Sequence, residues 1–207
     1  MRTEDISAVE IALKQGRIIA IATDTVYGLF VDGSNERAVQ KLYELKQRPK
    51  TKSFILMSAQ GKDIGKLGVH IPQYAQDIIE KCWPGALTCV FKREAQLILP
   101  FLENQNSIAI RMPNDVDIIS LIMRMPEPII ATSANISGAQ VLKTASDVEQ
   151  EFGDAVLIWE LNKGISTEEQ STIISCEQQN SWKLIRCGSI PKEKIWAILD
   201  EEKRKNT

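Results

Sequence analysis

Apolar positions recur along this chain at two spacings, and the switching between them predicts alternating helices and strands. Ile6, Val9 and Leu13 share one helical face, with Ser7 and Glu10 at capping-box spacing and Gly16 as a stop. Ile18–Ala22 and Gly28–Val31 are apolar runs of strand length. Ala38, Leu42 and Leu45 mark a second helix, opened by Ser34 or Asn35. A short strand follows at Phe54–Met57, then a helix from Pro72 through Ile78, Ile79 and Cys82. Trp83-Pro84-Gly85 turns the chain into a strand at Leu87–Phe91. Ser107–Arg111 and Ile129–Thr132 are strands on either side of a helix at Ile118–Met123. Ala145–Phe152 is helical, Ala155–Trp159 extended, and Ile173–Cys176 with Trp182–Arg186 form a late strand pair. Pro191 opens a last helix with Ile195, Ile198 and Leu199 inward, and the charged tail after Asp200 is expected to fray. No repeat and no Pro/Gly/Ser-rich linker divides the chain, so the pattern predicts one α/β domain over residues 1–207 with a mixed sheet.

Composition narrows the partners. The 207 residues are 43% hydrophobic and 25% charged, with a net charge of -2, so no bulk positive field advertises nucleic acid. No apolar run approaches the roughly 18 residues of a membrane span, and Met1-Arg2-Thr3-Glu4-Asp5 lacks the layout of a signal peptide. A cytoplasmic protein is expected. Cys82, Cys89, Cys176 and Cys187 form no Cys-x-x-Cys pair, so buried free thiols are expected rather than a metal or redox site. His70 is the single histidine. That demotes triad and multi-histidine chemistry and leaves arginines, lysines, hydroxyls and carboxylates. Gly61-Lys62 and Gly65-Lys66 complete no Walker loop, and no Gly-x-Gly-x-x-Gly follows a strand.

Three polar clusters stand out against this background. Ala22-Thr23-Asp24-Thr25-Val26-Tyr27-Gly28-Leu29 places small polar groups at the mouth of a buried strand, which suits a ligand site or a strand–turn–strand satisfying its own backbone. Lys46-x-Arg48-Pro49-x-x-Lys52 closes a helix; it reads as a phosphate clamp or as cations complementing a helix end. Thr132-Ser133-Ala134-Asn135-Ile136-Ser137-Gly138 follows a strand and can line a nucleotide or form an ordinary turn. Arg111 and Arg186 each end an apolar strand, where they either reach solvent or, with the lysine cluster, form a cationic pocket for an anionic ligand.

Together these stretches resemble the YrdC-type threonylcarbamoyladenylate synthases. Thr-Asp-Thr-Val-Tyr-Gly-Leu, Lys-x-Arg-Pro, Ile-Ala-Ile-Arg-Met-Pro, Ser-Ala-Asn-x-Ser-Gly, Ser171-Thr172-Ile173 and Ile185-Arg186-x-Gly188 occur in that family's order, over about residues 5 to 190. The length is that of the short, single-domain form. The resemblance implies a YrdC-like twisted open α/β sheet with a positively lined concave face. It also implies a nucleotidyltransferase that joins L-threonine, bicarbonate or carbon dioxide, and ATP into L-threonylcarbamoyl-AMP, releasing pyrophosphate. Magnesium would be bound with ATP, and no metal site of the protein's own is expected. A separate tRNA threonylcarbamoyltransferase would take the product for the adenosine next to the anticodon, and direct tRNA contact is an open expectation.

Carried over by motif, the resemblance assigns Lys46 and Arg48 to catalysis. Thr25, Met57, Arg111, Ala131 and Ser171 go to threonine. Arg48, Lys52, Ser107, Ser133, Asn135, Val141 and Arg186 go to ATP. The chain departs from the family pattern at Ala22 and Ser53, where proline is usual, at Met57, where histidine is common, and at Ser175, where aspartate is usual. Two other readings stand beside this one. A carbamoyl-transfer domain of hydrogenase-maturation proteins would call for a longer chain with paired cysteines. A non-catalytic RNA-binding module would use the cationic face alone.

Overall fold

The computed structural model describes residues 1–59, 64, 68–94, 98–103, 105–161, 165, 167 and 169–205, the side chains of 202–205 being left aside. The Gly61-Lys62 and Gly65-Lys66 pairs and residues 206–207 lie outside the described residues.

The period-2 runs become the strands β1 (Arg2–Thr3), β2 (Ile18–Ala22), β3 (Tyr27–Asp32), β4 (Ile55–Met57), β5 (Leu87–Lys92), β6 (Ser107–Arg111), β7 (Ile129–Ser133), β8 (Val156–Trp159), β9 (Thr172–Ser175) and β10 (Lys183–Arg186). They form one ten-stranded sheet in the order β1-β8-β2-β3-β7-β4-β6-β5-β9-β10. Pairing is mixed: β2 runs parallel to β8 and antiparallel to β3, and β5 runs antiparallel to β6 and parallel to β9. The helices are α1 (Ile6–Lys14), α2 (Glu36–Leu45), α3 (Gln73–Cys82), α4 (Val116–Arg124), α5 (Ala145–Phe152) and α6 (Lys192–Lys205).

Side chains alternate across the sheet, so each strand feeds two cores. Ile18, Ala20, Leu29, Leu56, Ile108 and Ile110 join a large cluster with residues of α2, α3, α5 and α6. Ile19, Ile21, Phe30, Leu157 and Trp159 pack on the other face with Val9 and Leu13 of α1 and Ile118 and Leu121 of α4. Among the described residues this second cluster has no member from β5, β6, β9 or β10. Half of one sheet face is therefore left without a helix, and that half carries the site.

Local sequence explains most ends. Asn35 caps α2 through Ala38 N, and the Thr144–Asp147 pair forms a capping box on α5. The capping box expected at Ser7 and Glu10 is not what starts α1: Asp5 is the N-cap and accepts from Ser7 N. A carboxylate two residues upstream has the better reach to the first free N–H groups. The helix expected to fray after Asp200 continues to Lys205, where Lys81 of α3 meets Glu201 at 2.8 Å. β1, two residues long, is too short to give a periodic signal. Cys82, Cys89 and Cys176 are buried free thiols, whereas Cys187 is exposed. His70 is exposed and shares a hydrogen bond with Gln179. Among the described residues no helix is long and apolar enough to cross a membrane.

Candidate active site

On the open half, the pleat aims every second residue into a cavity of about 390 Å³. β6 contributes Ser107, Ala109 and Arg111, while its Ile108 and Ile110 go to the opposite core. β9 and the residue before it contribute Ile173 and Ser171; β4 gives Ile55 and Met57, and β7 gives Ala131 and Ser133. Small side chains at Ser107, Ala109, Ala131, Ser133 and Ser171 leave room that a full row of isoleucines would fill. Gly28 belongs to the same wall, because a Cβ there would run into the Phe30 ring at 2.6 Å.

One end of the cavity is built around Arg111, which is 6% exposed. Its Nε donates to Gly85 O at 3.0 Å, Nη1 to Thr25 Oγ1 at 2.9 Å and Nη2 to Asp24 Oδ1 at 2.6 Å. Burial pushes this guanidinium down, and the Asp24 carboxylate acts against that shift. The neighbouring hydroxyls have a fixed polarity. The Thr23 hydroxyl donates to Val26 O at 2.7 Å, using its only hydrogen. The 3.0 Å bond between the Thr23 and Thr25 hydroxyls must then have Thr25 as donor. With its hydrogen so engaged, Thr25 offers an incoming ligand a lone pair only. This end presents N–H donors from Arg111 beside an acceptor from Thr25, a pattern that fits the carboxylate and the N–H or O–H group of one small molecule.

The other end is cationic. The Arg48 guanidinium lies 5.4 Å over the Phe54 ring and donates to Lys52 O and Ser53 O. Arg186 donates through Nε and Nη2 to Ser171 O, at 3.1 and 2.8 Å, and also contacts Ser171 Oγ and Gln170 Oε1. Burial, followed by repulsion from Arg111 and Arg48, pushes Arg186 down to about 10. Three guanidiniums around one cavity, with Arg186 repelled by the other two, describe a site for anions. Gly188 serves this end as well: a Cβ there would strike the Gln170 and Ser171 backbone that Arg186 holds.

Lys46 has a different place from the one expected. It is 1% exposed and is absent from the cavity lining. Its Nζ donates to Ser133 O and Asn135 O, both at 2.6 Å, and to Asn135 Oδ1 at 3.1 Å. An ammonium has three donors, so none remains for a phosphate. The cause lies in how α2 ends. Arg48 N bonds Tyr43 O and Gln47 N bonds Glu44 O, with Gln47 left-handed at φ 49. This Schellman closure sends Lys46 inward and Arg48 outward. Lys46 is a strut that fixes the Ser133–Asn135 loop from behind.

A family model for Sua5, YciO and YrdC proteins, described as "Telomere recombination", matches residues 11–188. The chain belongs to the Sua5/YciO/YrdC family. Threonylcarbamoyl-AMP synthase of Bacillus subtilis strain 168 is 32% identical over 190 residues, covering 90% of this chain and 54% of that protein. The enzyme of the same name from Klebsiella pneumoniae is 32% identical over 145 residues, 69% of this chain and 76% of that one. The crystal structure of Pyrococcus abyssi Sua5 complexed with L-threonine has a TM-score of 0.82 and 29% identity, covering 96% of this chain and 59% of that one. The chain thus spans about half the length of the Bacillus relative.

In this Sua5/YciO/YrdC chain the cavity gathers Thr25, Arg48, Met57, Ser107, Arg111, Ala131, Ser133, Ser171 and Arg186 from the positions singled out by sequence. Lys46, Lys52, Asn135 and Val141 are not on its wall. Lys52 is exposed and contributes its carbonyl to Arg48, while Asn135 is buried and bonds Ala139 O. Sequence reasoning placed Thr23 and Asp24 in a motif suited to a ligand site without giving either its own role, and gave none to Thr88 or Gln170. Thr88 bonds Ser171 Oγ at 2.9 Å. Its signal was available, since Thr88 is a polar residue in the apolar strand Leu87–Phe91.

Proposed function

We propose that this chain synthesises L-threonylcarbamoyl-AMP from L-threonine, bicarbonate or carbon dioxide, and ATP, with release of pyrophosphate. The observation that carries this reading is the pairing of two unlike ends in one cavity. Arg111 beside Thr25 suits the carboxylate and amine of an amino acid, and Arg48 with Arg186 suits a polyphosphate. The names of the Bacillus and Klebsiella relatives, and the L-threonine in the Pyrococcus structure, support the same substrates.

The chemistry asks for no covalent nucleophile. The neutral amine of threonine adds to carbon dioxide, forming a C–N bond and losing a proton, and gives a carbamate. A carbamate oxygen then attacks the α-phosphorus, and the bond to the β-phosphate oxygen breaks as pyrophosphate leaves. Two anions must approach, so fixed guanidiniums supply positioning and charge stabilisation. Among the described residues no group of three or more histidine, cysteine or carboxylate side chains could hold a metal ion. Magnesium would enter on the triphosphate, where it would neutralise phosphate charge. The product, a mixed anhydride, would pass to a separate tRNA threonylcarbamoyltransferase.

The test is pyrophosphate release by purified protein when threonine, bicarbonate and ATP are supplied together and in pairs. Release only with all three supports the synthase. No release, with tight tRNA binding, favours an RNA-binding module.

A further inference from the structure

We infer that Asp24, which does not reach the cavity wall, is a positioning residue that fixes the angle at which Arg111 meets a substrate carboxylate. This rests on the amino-acid reading of the Arg111 end given above. Arginine carries five N–H donors in a planar fork. Gly85 O, Thr25 Oγ1 and Asp24 Oδ1 take one from each nitrogen. One hydrogen remains on each terminal nitrogen, available to a carboxylate.

The clamp is held from both sides. Asp24 Oδ1 takes Arg111 Nη2, and its Oδ2 accepts from the backbone N–H of Asn114 at 3.0 Å. The carboxylate is therefore fixed to the segment that follows β6, while Arg111 ends β6 itself. Both side chains are nearly buried, at 7% and 9% exposure. Asp115, at the cap of α4, adds a second negative charge acting on Arg111.

The choice of a carboxylate is informative. A neutral carbonyl such as Gly85 O orients a guanidinium without weakening its pull on an anion. A carboxylate in that position opposes a second carboxylate in the ground state. Asp24 thus trades substrate affinity for orientation. That gives the inference a sign that a purely structural ion pair would not have.

The test is Asp24→Asn, which removes the charge and sets an amide against either Arg111 or the Asn114 N–H, where an acceptor is required. L-threonine affinity, measured by calorimetry without ATP, is expected to be unchanged or tighter. The kcat for threonine-dependent pyrophosphate release is expected to fall at least tenfold, with KM for ATP unchanged. The ¹⁵N signals of the Arg111 terminal nitrogens are expected to be separate in the wild type, where the clamp hinders rotation, and to merge in the variant. A tenfold loss of threonine affinity with kcat intact would overturn the inference, because Asp24 would then contact substrate. Separate Arg111 signals in a variant with unchanged kcat would overturn it as well. If Asp24→Asn does not fold, Asp24→Glu keeps the charge and displaces the clamp, and the tenfold fall in kcat and the merging of the ¹⁵N signals are then the readouts. A wild-type protein that binds threonine yet releases no pyrophosphate refutes the synthase, and the calorimetric and ¹⁵N readouts then decide on Asp24 alone.

Discussion

The two halves of one sheet face use the same pleat for opposite ends. Under α1 and α4 the alternating positions are Ile19, Ile21, Phe30, Leu157 and Trp159, closed into a core. Across β5, β6 and β9 the equivalent positions are Val90, Ser107, Ala109, Arg111 and Ile173, with Ser171 just before β9, and they line a cavity. The covered half gains stability from apolar area. The open half is ordered by hydrogen bonds from buried cations, each already engaged with protein acceptors. A binding face can be made this way without loosening the fold, because its rigidity comes from polar contacts and its neighbour carries the apolar burial.

The contrast is most sharply tested by truncating the covered half. Ile21→Ala, at a fully buried position, is expected to cost about 2–5 kcal/mol of stability, read from urea unfolding. A loss under 1 kcal/mol would mean that α1 and α4 are not what holds that half.

Next in size is Arg111→Lys, which keeps a charge and loses the fork. A charge-assisted contact contributes about 1.5–3 kcal/mol, so threonine affinity should fall about tenfold or more with ATP affinity nearly constant. Separate calorimetric titrations check this, and equal losses for both ligands would place Arg111 outside the amino-acid end.

Lys46 gives a pH test. Burial, followed by repulsion from Arg48, pushes its ammonium from 10.5 down to about 7. Between those values the unfolded chain holds a proton that the folded chain has released. Stability should therefore rise with pH from about 7 toward 10, by about 1 kcal/mol per pH unit. The slope is taken as the difference between wild type and Lys46→Met in urea midpoints at pH 7 and 9. A flat difference would mean that the three oxygens around Nζ keep the ammonium charged.

The smallest effect is expected at Ser107→Ala, on the open half. Stability should change by no more than about 0.5 kcal/mol, while any loss of ATP affinity reports contact with the nucleotide.

Much of this contrast could be read from the chain. Ser107-Ile108-Ala109-Ile110-Arg111 shows its two faces directly, and β2, β6 and α5 occupy the ranges that periodicity predicts. The cations were harder. Lys46 and Arg48 look alike in sequence, because a helix end, a phosphate clamp and a buried strut all favour a basic residue there. Only the left-handed turn at Gln47 sends them opposite ways. Asp24 and Thr23 lie inside the most distinctive motif, yet their roles depend on Asn114 and Val26, partners that no spacing rule names.

The contacts that order the open half also join distant parts of the chain. Asp24 meets Arg111 across 87 positions, Lys46 meets Asn135 across 89, and Thr88 meets Ser171 across 83. Pairings of this range close late, since loop entropy is lost before the contacts form. No fragment lacking either end of the Thr25-to-Arg186 span can hold the site. During synthesis the cavity is complete only once the ribosome has released β10, so a ligand that spans both ends can stabilise only the finished sheet and cannot template it.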